Sequence, residues 1–552
     1  MDNDLDRRVR EKQKWLAANL KEHYDFIVCG AGSSGCVIAR RLAEDPAASV
    51  LLLEAGGSDD IPSVTESNLW HTNLGGVTDW AFQAEPNQHL NGRALTLSMG
   101  KVLGGGSSIN LMAWARGHKA DWDFFAAESG NKAWSYASVL DIYRRIEDWH
   151  GVPDGEYRGS GGPIYVQPKC NPHPVGPIVL EAAKCLGIGH FDQANGKMME
   201  GKGGAAIIEV RARDGKRQSV FRSYTYPYMD RPNLTVLSNA LVRRVLIDGN
   251  RATAVEVCYR DELRQFRAGA EVVLSMGAIH TPKTLMLSGV GDEDTLRPLG
   301  IPVKQHLPGV GGNFHDHLGF SCMWELPAWP PSNQPGDAVM FWPSQDGLDK
   351  PDMFVCQGAL LLASQENIAR FGLPDTGWTM FGALTQPKSR GRVALTSPDP
   401  NQPVRVVDNG LSDPDDVRLA VKCVEGMREV GNSALLRSWP FFTREVMPGN
   451  LKGEALLAYL RDAGLSFWHQ VGTAKMGLDP LAVVDGSLKV YGIENLRVAD
   501  ASIMPRITSG NTMAPCVVIG ERAAEEIKSE HGLVESTDKA QRRRIRRGRS
   551  ED

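Results

Sequence analysis

Residues 24–56 read YDFIVCGAGSSGCVIARRLAEDPAASVLLLEAG, and this stretch decides the fold. Tyr24 to Val28 is a short apolar, partly β-branched run, the segment from Gly30 has the apolar spacing of a helix, and SVLLLEAG is a second buried-type strand. The pattern predicts strand, turn, helix and strand, the βαβ unit of a doubly wound sheet. Gly30, Gly32 and Gly35 stand in GxGxxG spacing at the turn. The chain must turn tightly there, let backbone approach a pyrophosphate, and pack helix on strand, while free N–H groups at the helix start, around Ser33 and Ser34, face phosphate. Glu54, followed by Ala55, closes the second strand about 20 residues on, where a carboxylate accepts ribose hydroxyls and disfavours a 2′-phosphate. Dinucleotide binding is the expectation; a glycine-rich turn that binds nothing is the alternative.

The chain has 552 residues, too many for one ordinary core, with 42% hydrophobic and 23% charged residues. A formal charge of −5 gives no general attraction to nucleic acid or anionic membrane. Nine scattered cysteines without a CxxC pair argue against a disulfide framework and for the cytoplasm. Arg7-Arg8 near the N-terminus is not followed by an apolar stretch, so no secretion signal is read, and no run of 18 apolar residues predicts a membrane span. The basic run from Gln541, QRRRIRRGRSED, reads as a solvated tail, with contact to nucleic acid or an anionic membrane as the sharper alternative.

A second glycine-rich loop, GKVLGGGSSINLMAWARG from Gly100, suits a long cofactor such as FAD better than one such loop would. Strand-like runs after Asn233 are joined by Asp248-Gly249-Asn250, a hairpin signal. AEVVLSMGAIHTPKTLMLSGVG predicts a strand ending at Gly277 and a short helix. After Leu318, the segments FSCMWEL, MFVCQGALL, GRVALTS and PVRVVDN predict a second, largely antiparallel sheet. Ser412-Asp413-Pro414 supplies a cap and first-turn proline for a scaffold helix that buries Val417, Leu419, Ala420, Val421, Val424 and Met427.

Taken in order, these segments resemble the glucose-methanol-choline (GMC) oxidoreductases. The N-terminal stretch looks like their FAD site, GKVLGGGSSINLMAWARG their first signature, and GAIHTPKTLMLSGVG, Gly277 to Gly291, their second, with Thr284 at a place usually aliphatic. The similarity continues through GVGGNFHDHLG, SRGRVALTS, HQVGTAKMG and NLRVADASIMPRITSGNTMAP, from Tyr24 to about Ile527. It implies a Rossmann-like flavin domain with an interleaved substrate domain built on an antiparallel sheet with helices, an α/β plus α+β architecture. The division expected is an N-terminal extension at 1–23, a flavin domain from 24–160, 225–318 and 480–530, a substrate domain from 161–224 and 319–479, and a basic tail at 531–552.

The resemblance also implies roles. His469, in SFWHQVGTAKMG, falls on the family's active-site histidine, and Asn511 on a second active-site position. Oxidising an alcohol removes a proton from oxygen and a hydride from carbon, so His469 is expected to take the proton while Asn511 orients the oxygen. Val102, Gly106, Ser107 and Asn110 are expected beside the flavin, the Val242 backbone at adenine, and Asp500 and Ala501 near the diphosphate and ring. Without the resemblance, His469 reads as an ordinary core histidine and Asn511 as a helix cap.

Where some members bind FAD covalently through a histidine, this chain has Ile109, so non-covalent FAD is expected. Gln470 replaces a proline that often follows the active-site histidine. His315 and His317 invite a metal reading, but no further ligand set is evident and none is needed. Phe341, Trp342, Phe467 and Trp468 are candidates for an aromatic pocket, and the Trp-His pair resembles aryl-alcohol and hydroxymethylfurfural oxidase-like members; choline dehydrogenase-like members are also close. The expected function is oxidation of a primary aromatic or heteroaromatic alcohol, with oxygen or another electron acceptor. Sugar or amino-alcohol oxidation, a non-redox hydroxynitrile lyase and a basic-tailed interaction protein are the alternatives. Monomer and homodimer are both open.

Overall fold

In the computed structural model, residues 3–326, 336–438 and 443–534 are described. The basic run from Gln541 therefore lies outside the described residues.

The βαβ unit forms as its pattern dictates. His23–Cys29 and Val50–Leu53 are parallel strands, joined through the helix Ser33–Leu42. All four residues of the second strand are buried, as a parallel strand covered on both faces requires. Leu234–Leu237 extends the sheet beside Val50–Leu53, and Glu262–Leu274 pairs in parallel with His23–Cys29 on the other side. The hairpin predicted at Asp248-Gly249-Asn250 joins Ala240–Asp248 to Arg251–Tyr259, and an antiparallel meander completes the sheet. The last strand, Leu496–Val498, returns in parallel beside Glu262–Leu274. Chain separated by more than two hundred residues thus builds one layer.

Two features of this half depart from the sequence reading and a third adds to it. The strand expected to reach Gly277 stops at Leu274, and a helix begins at Gly277, whose N–H donates to Asp500. The N-terminal extension contains a helix, Asn3–Ala18, that buries Val9 and Leu16. Its Gln13 donates to the carbonyls of Met229 and Leu234 and accepts from Val236 N–H, closing the polar edge of Leu234–Leu237. At the other end, Met513–His531 is helical and His531 bonds Glu271, so residues 531–534 are structured rather than part of a tail.

The second sheet is antiparallel, in the order Arg444–Met447, Leu318–Glu325, Gly377–Leu384, Met353–Gly358, Ala338–Trp342 and Gly204–Ile207. Two segments expected in it are elsewhere: Arg392–Ala394 and Arg405–Val407 pair with each other in a separate two-stranded ribbon, and Val406 also bridges to Ala84. Gly377–Leu384 shows no apolar alternation in sequence because seven of its eight residues are buried, with side chains covered on both faces. The scaffold helix runs Pro414–Gly431, capped by the Asp413 side chain on Asp415 N–H, and buries Ala420, Cys423, Val424, Met427 and Val430. It covers one face of this sheet; Phe341, Phe354, Phe381 and Ala383 lie on the other. Among the described residues no helix is long and apolar enough to cross a membrane.

Candidate functional site

One continuous cavity runs between the two sheets. Its first end is the glycine turn. A Cβ on Gly30, whose φ is +98°, would lie 2.4 Å from the Ser275 carbonyl oxygen, and one on Gly35 would lie 1.9 Å from the Gly30 oxygen. Neither position admits a side chain. Gly32, Ser33 and Ser34 line the cavity and Gly35 stands behind them, letting helix and strand close. Ser34 Oγ donates to the Cys516 carbonyl at 2.7 Å, tying this turn to the last helix.

Glu54 accepts from Ala31 N–H at 3.0 Å and Gly56 N–H at 2.8 Å, one on each carboxylate oxygen. Burial pushes its carboxyl up to about 7 against those two donors. Each oxygen retains a lone pair for a ribose hydroxyl. Ala55 and Val242 also line the cavity here. The cradle thus fits an adenine dinucleotide: open glycines at a helix start, a held carboxylate, and a neighbouring strand end.

Gly106, Asn110, Asp500 and Ala501 line the middle. Asp500 accepts from Gly277 N–H, Thr281 hydroxyl and Ser502 N–H, which fixes the second signature against the chain's last strand. Val102 and Ser107 do not reach the cavity. Val102 is fully buried beside Val64 and Ile109, and Ser107 Oγ donates to the Gly104 carbonyl while accepting from Val220 N–H, so both shape the loop from behind.

The far end holds His469 and Asn511, brought together from 42 residues apart with Asn511 Nδ2 3.1 Å from His469 Nε2. The cap of the last helix is Thr512, so the Asn511 side chain is directed to His469 rather than to the helix start. Asp316 fastens the histidine loop: it accepts from His469 N–H at 2.8 Å, from the Ser466 hydroxyl, and from Gln470 Nε2 at 3.0 Å. Gln470, at the place of the family's proline, supplies that restraint through its side chain. Trp468 is held at φ +62°, an unfavourable conformation for so large a residue.

A chain of hydrogen bonds orients the imidazole. The Thr385 carbonyl can only accept, so His317 Nε2, 3.0 Å away, carries the proton. Burial lowers His317 to about 4, so the ring is neutral at pH 7 and its Nδ1 is an acceptor. His469 Nδ1, 2.9 Å from it, therefore carries hydrogen, and His469 Nε2 presents its lone pair to Asn511 and the cavity. Both nitrogens of His315 are likewise occupied, by the Asn313 carbonyl and Ile507 N–H, which leaves the pair no lone pair for a metal.

Burial, and secondarily the neighbouring His317, hold His469 well below the usual 6.5. The ring therefore stays unprotonated in mild acid, as it would need to be if it takes the alcohol's proton. The kcat/KM profile is expected to stay level as pH falls through 6.5 and to decline only well below it; a limb centred at 6.5 would contradict this assignment.

Phe467 and Trp468 line this end; Phe341 and Trp342 do not. Adjacent strand residues face opposite sides, so Trp342 packs toward the scaffold helix, and Phe341 stacks at 5.7 Å on Phe354 behind the wall. The wall is completed by Phe381 and Cys356, directly paired across two strands, with Leu360, Leu362 and Thr379. Trp80, Phe82 and His280 form another aromatic group on the cavity, with His280 4.3 Å from Trp80 in edge-on contact. No local motif marks these residues; the pairing of distant segments does.

A GMC oxidoreductase N-terminal family model matches residues 24–319, and the C-terminal model matches 387–520. The chain is 36% identical to an oxygen-dependent choline dehydrogenase of Citrobacter koseri, covering 93% of this chain and 97% of that protein. It is 33% identical to an alcohol dehydrogenase [acceptor] of Pseudomonas putida, covering 91% and 95%. Among solved structures, pyridoxine 4-oxidase from Mesorbium loti superposes with a TM-score of 0.86 at 28% identity, over 91% of this chain and 99% of that one. The protein belongs to the GMC oxidoreductase family, FAD-dependent enzymes that oxidise alcohols.

Proposed function

We propose that this enzyme oxidises a neutral primary alcohol carrying an aromatic or heteroaromatic ring to its aldehyde. The observation that carries the reading is the complementary pair at the cavity end. His469 Nε2 offers a lone pair and Asn511 Nδ2 offers hydrogen, and an alcohol hydroxyl needs one of each. Replacing the direct bond between them, the hydroxyl donates to His469 and accepts from Asn511. As the proton passes to Nε2, the amide stabilises the negative oxygen and fixes which C–H faces the cofactor. FAD, when bound, supplies the hydride acceptor.

The ring preference rests on the lining. Phe467 lies 4.2 Å from Phe381 and stacks on His469 at 5.2 Å, giving a flat apolar wall beside the base. Among the described lining residues the only carboxylates are Glu54 and Asp500, in the cofactor part, and there is no lysine or arginine. The likeness to a pyridoxine 4-oxidase supports a heteroaromatic alcohol. A second reading, an amino-alcohol, draws on the choline dehydrogenase relative and on the capacity of aromatic side chains to hold a quaternary ammonium. Comparing flavin reduction by choline and by its uncharged isostere 3,3-dimethylbutan-1-ol separates them: preference for the isostere supports the neutral pocket, and preference for choline overturns it.

Ile109, buried on the cavity wall where a covalent link would need histidine, supports non-covalent FAD. Acid precipitation should release the yellow flavin into the supernatant; flavin retained in the pellet would refute this. Nine free thiols support a reducing compartment, the cytoplasm.

A further inference from the structure

Arg211 and Arg217 are buried behind the cavity wall, at 0% and 5% exposure, and neither has a carboxylate within ion-pair distance among the described residues. Their partners are uncharged. Arg211 donates from Nη1 to the Gln218 carbonyl and from Nη2 to Asn110 Oδ1 at 3.3 Å. Arg217 donates from Nε to the Val64 carbonyl at 2.8 Å, and from Nη1 to the Ser107 carbonyl, the Asn110 carbonyl at 2.6 Å and Asn110 Oδ1 at 2.9 Å. Arg211 Nε and Arg217 Nη2 have no partner among the described residues. Two buried, uncompensated charges are costly, and an opposite charge forming nearby would offset that cost.

The pair converges on one atom. Asn110 Oδ1 accepts from both guanidinium groups and from Met112 N–H at 3.0 Å. Three donors on the oxygen fix the amide orientation and leave Nδ2, which has no partner among the described residues, as the end available to the cavity that Asn110 lines. Asn110 therefore passes the arginines' polarity to whatever occupies the middle of the cavity.

We infer that Arg211 and Arg217 are positioning residues that turn the Asn110 amide donor toward the flavin and favour its electron-rich, anionic reduced form. The inference rests on the proposed alcohol oxidation. Hydride transfer brings the flavin two electrons and one proton, the substrate's other proton going to His469, so one negative charge develops on the cofactor. A fixed positive field behind the wall stabilises that charge in the reduced state and has no counterpart to stabilise in the oxidised ring.

The test is the two-electron potential of the purified holoenzyme, measured against a reference dye without any alcohol. Asn110→Asp keeps the side-chain shape, puts an anion on the cavity and gives both arginines a counter-ion. Arg211→Met removes one charge, and Arg211→Lys restores it. The aspartate and methionine variants should bind flavin and disfavour reduction at least tenfold, about 30 mV for a two-electron couple, with Arg211→Lys near wild type. A purely structural role would move only the melting temperature, upward in Asn110→Asp. A wild-type potential in a flavin-loaded Asn110→Asp enzyme overturns the inference whether or not Arg211→Met folds. Weakened FAD binding at unchanged potential also overturns it, by assigning the charge to the cofactor diphosphate. A purified protein without flavin would instead sink the proposed function.

Discussion

Replacing His469 with alanine is expected to slow substrate reduction of the bound flavin on the order of 100-fold or more, while leaving the flavin in place. His469 Nε2 presents its lone pair to Asn511 and the cavity, and the residue's backbone N–H, not its ring, is what Asp316 holds. Truncating the ring therefore removes the proton acceptor without loosening the loop. His317→Phe is the companion variant: it fills the same space beside Phe354 and Phe467 but removes the acceptor at His469 Nδ1. The imidazole is then free to place its hydrogen on Nε2, the wrong nitrogen for a base, and a loss of about tenfold or more is expected, a part of the base's full contribution. Stopped-flow reduction with saturating alcohol reads both. Wild-type rates in His469→Ala would remove the residue from the mechanism, and wild-type rates in His317→Phe would show that the hydrogen-bond chain does not set the tautomer.

Gly35→Ala is expected to abolish flavin binding. The added carbon would sit 1.9 Å from the Gly30 carbonyl oxygen, a backbone atom in a turn whose own φ of +98° is available to glycine alone at low cost. Helix Ser33–Leu42 must withdraw from the turn, and the N–H groups that would face pyrophosphate withdraw with it. Gly106→Ala is the control, since a Cβ there meets nothing within 4 Å in the protein and projects where the chain is open. That variant should fold and lose flavin affinity only to the extent that the methyl meets the cofactor. Absorbance of the purified proteins, with circular dichroism to confirm folding, distinguishes the two; a fully flavin-loaded Gly35→Ala would contradict the account of the turn.

Much of the first sheet was legible because its signals are local. Four consecutive buried residues at Val50–Leu53, the glycines before Ser33, and Gly249-Asn250 between two strands each depend on near neighbours. The second sheet was harder, since Gly377–Leu384 is covered on both faces and Arg392–Ala394 looks like any other strand yet pairs apart. The pocket shows the same limit. Phe341 and Trp342 are adjacent in sequence and so cannot share a face, whereas Phe381 meets Cys356 only through the register of two strands. His469 and Asn511 were singled out by the family pattern; as isolated residues they carry no chemical mark. The chain of contacts from Thr385 through His317 to His469 spans three segments, and no spacing encodes it.

In the proposed reaction an aromatic primary alcohol is oxidised by bound FAD, with His469 taking the hydroxyl proton and Asn511 orienting the oxygen. Anaerobic mixing of the purified enzyme with benzyl-type and pyridine-methanol alcohols tests it most directly. The oxidised flavin absorbance is expected to bleach within the mixing experiment, with an aldehyde appearing in equal amount. Flavin that stays oxidised with every primary alcohol in the series, while a chemical reductant bleaches it at once, would contradict the claim.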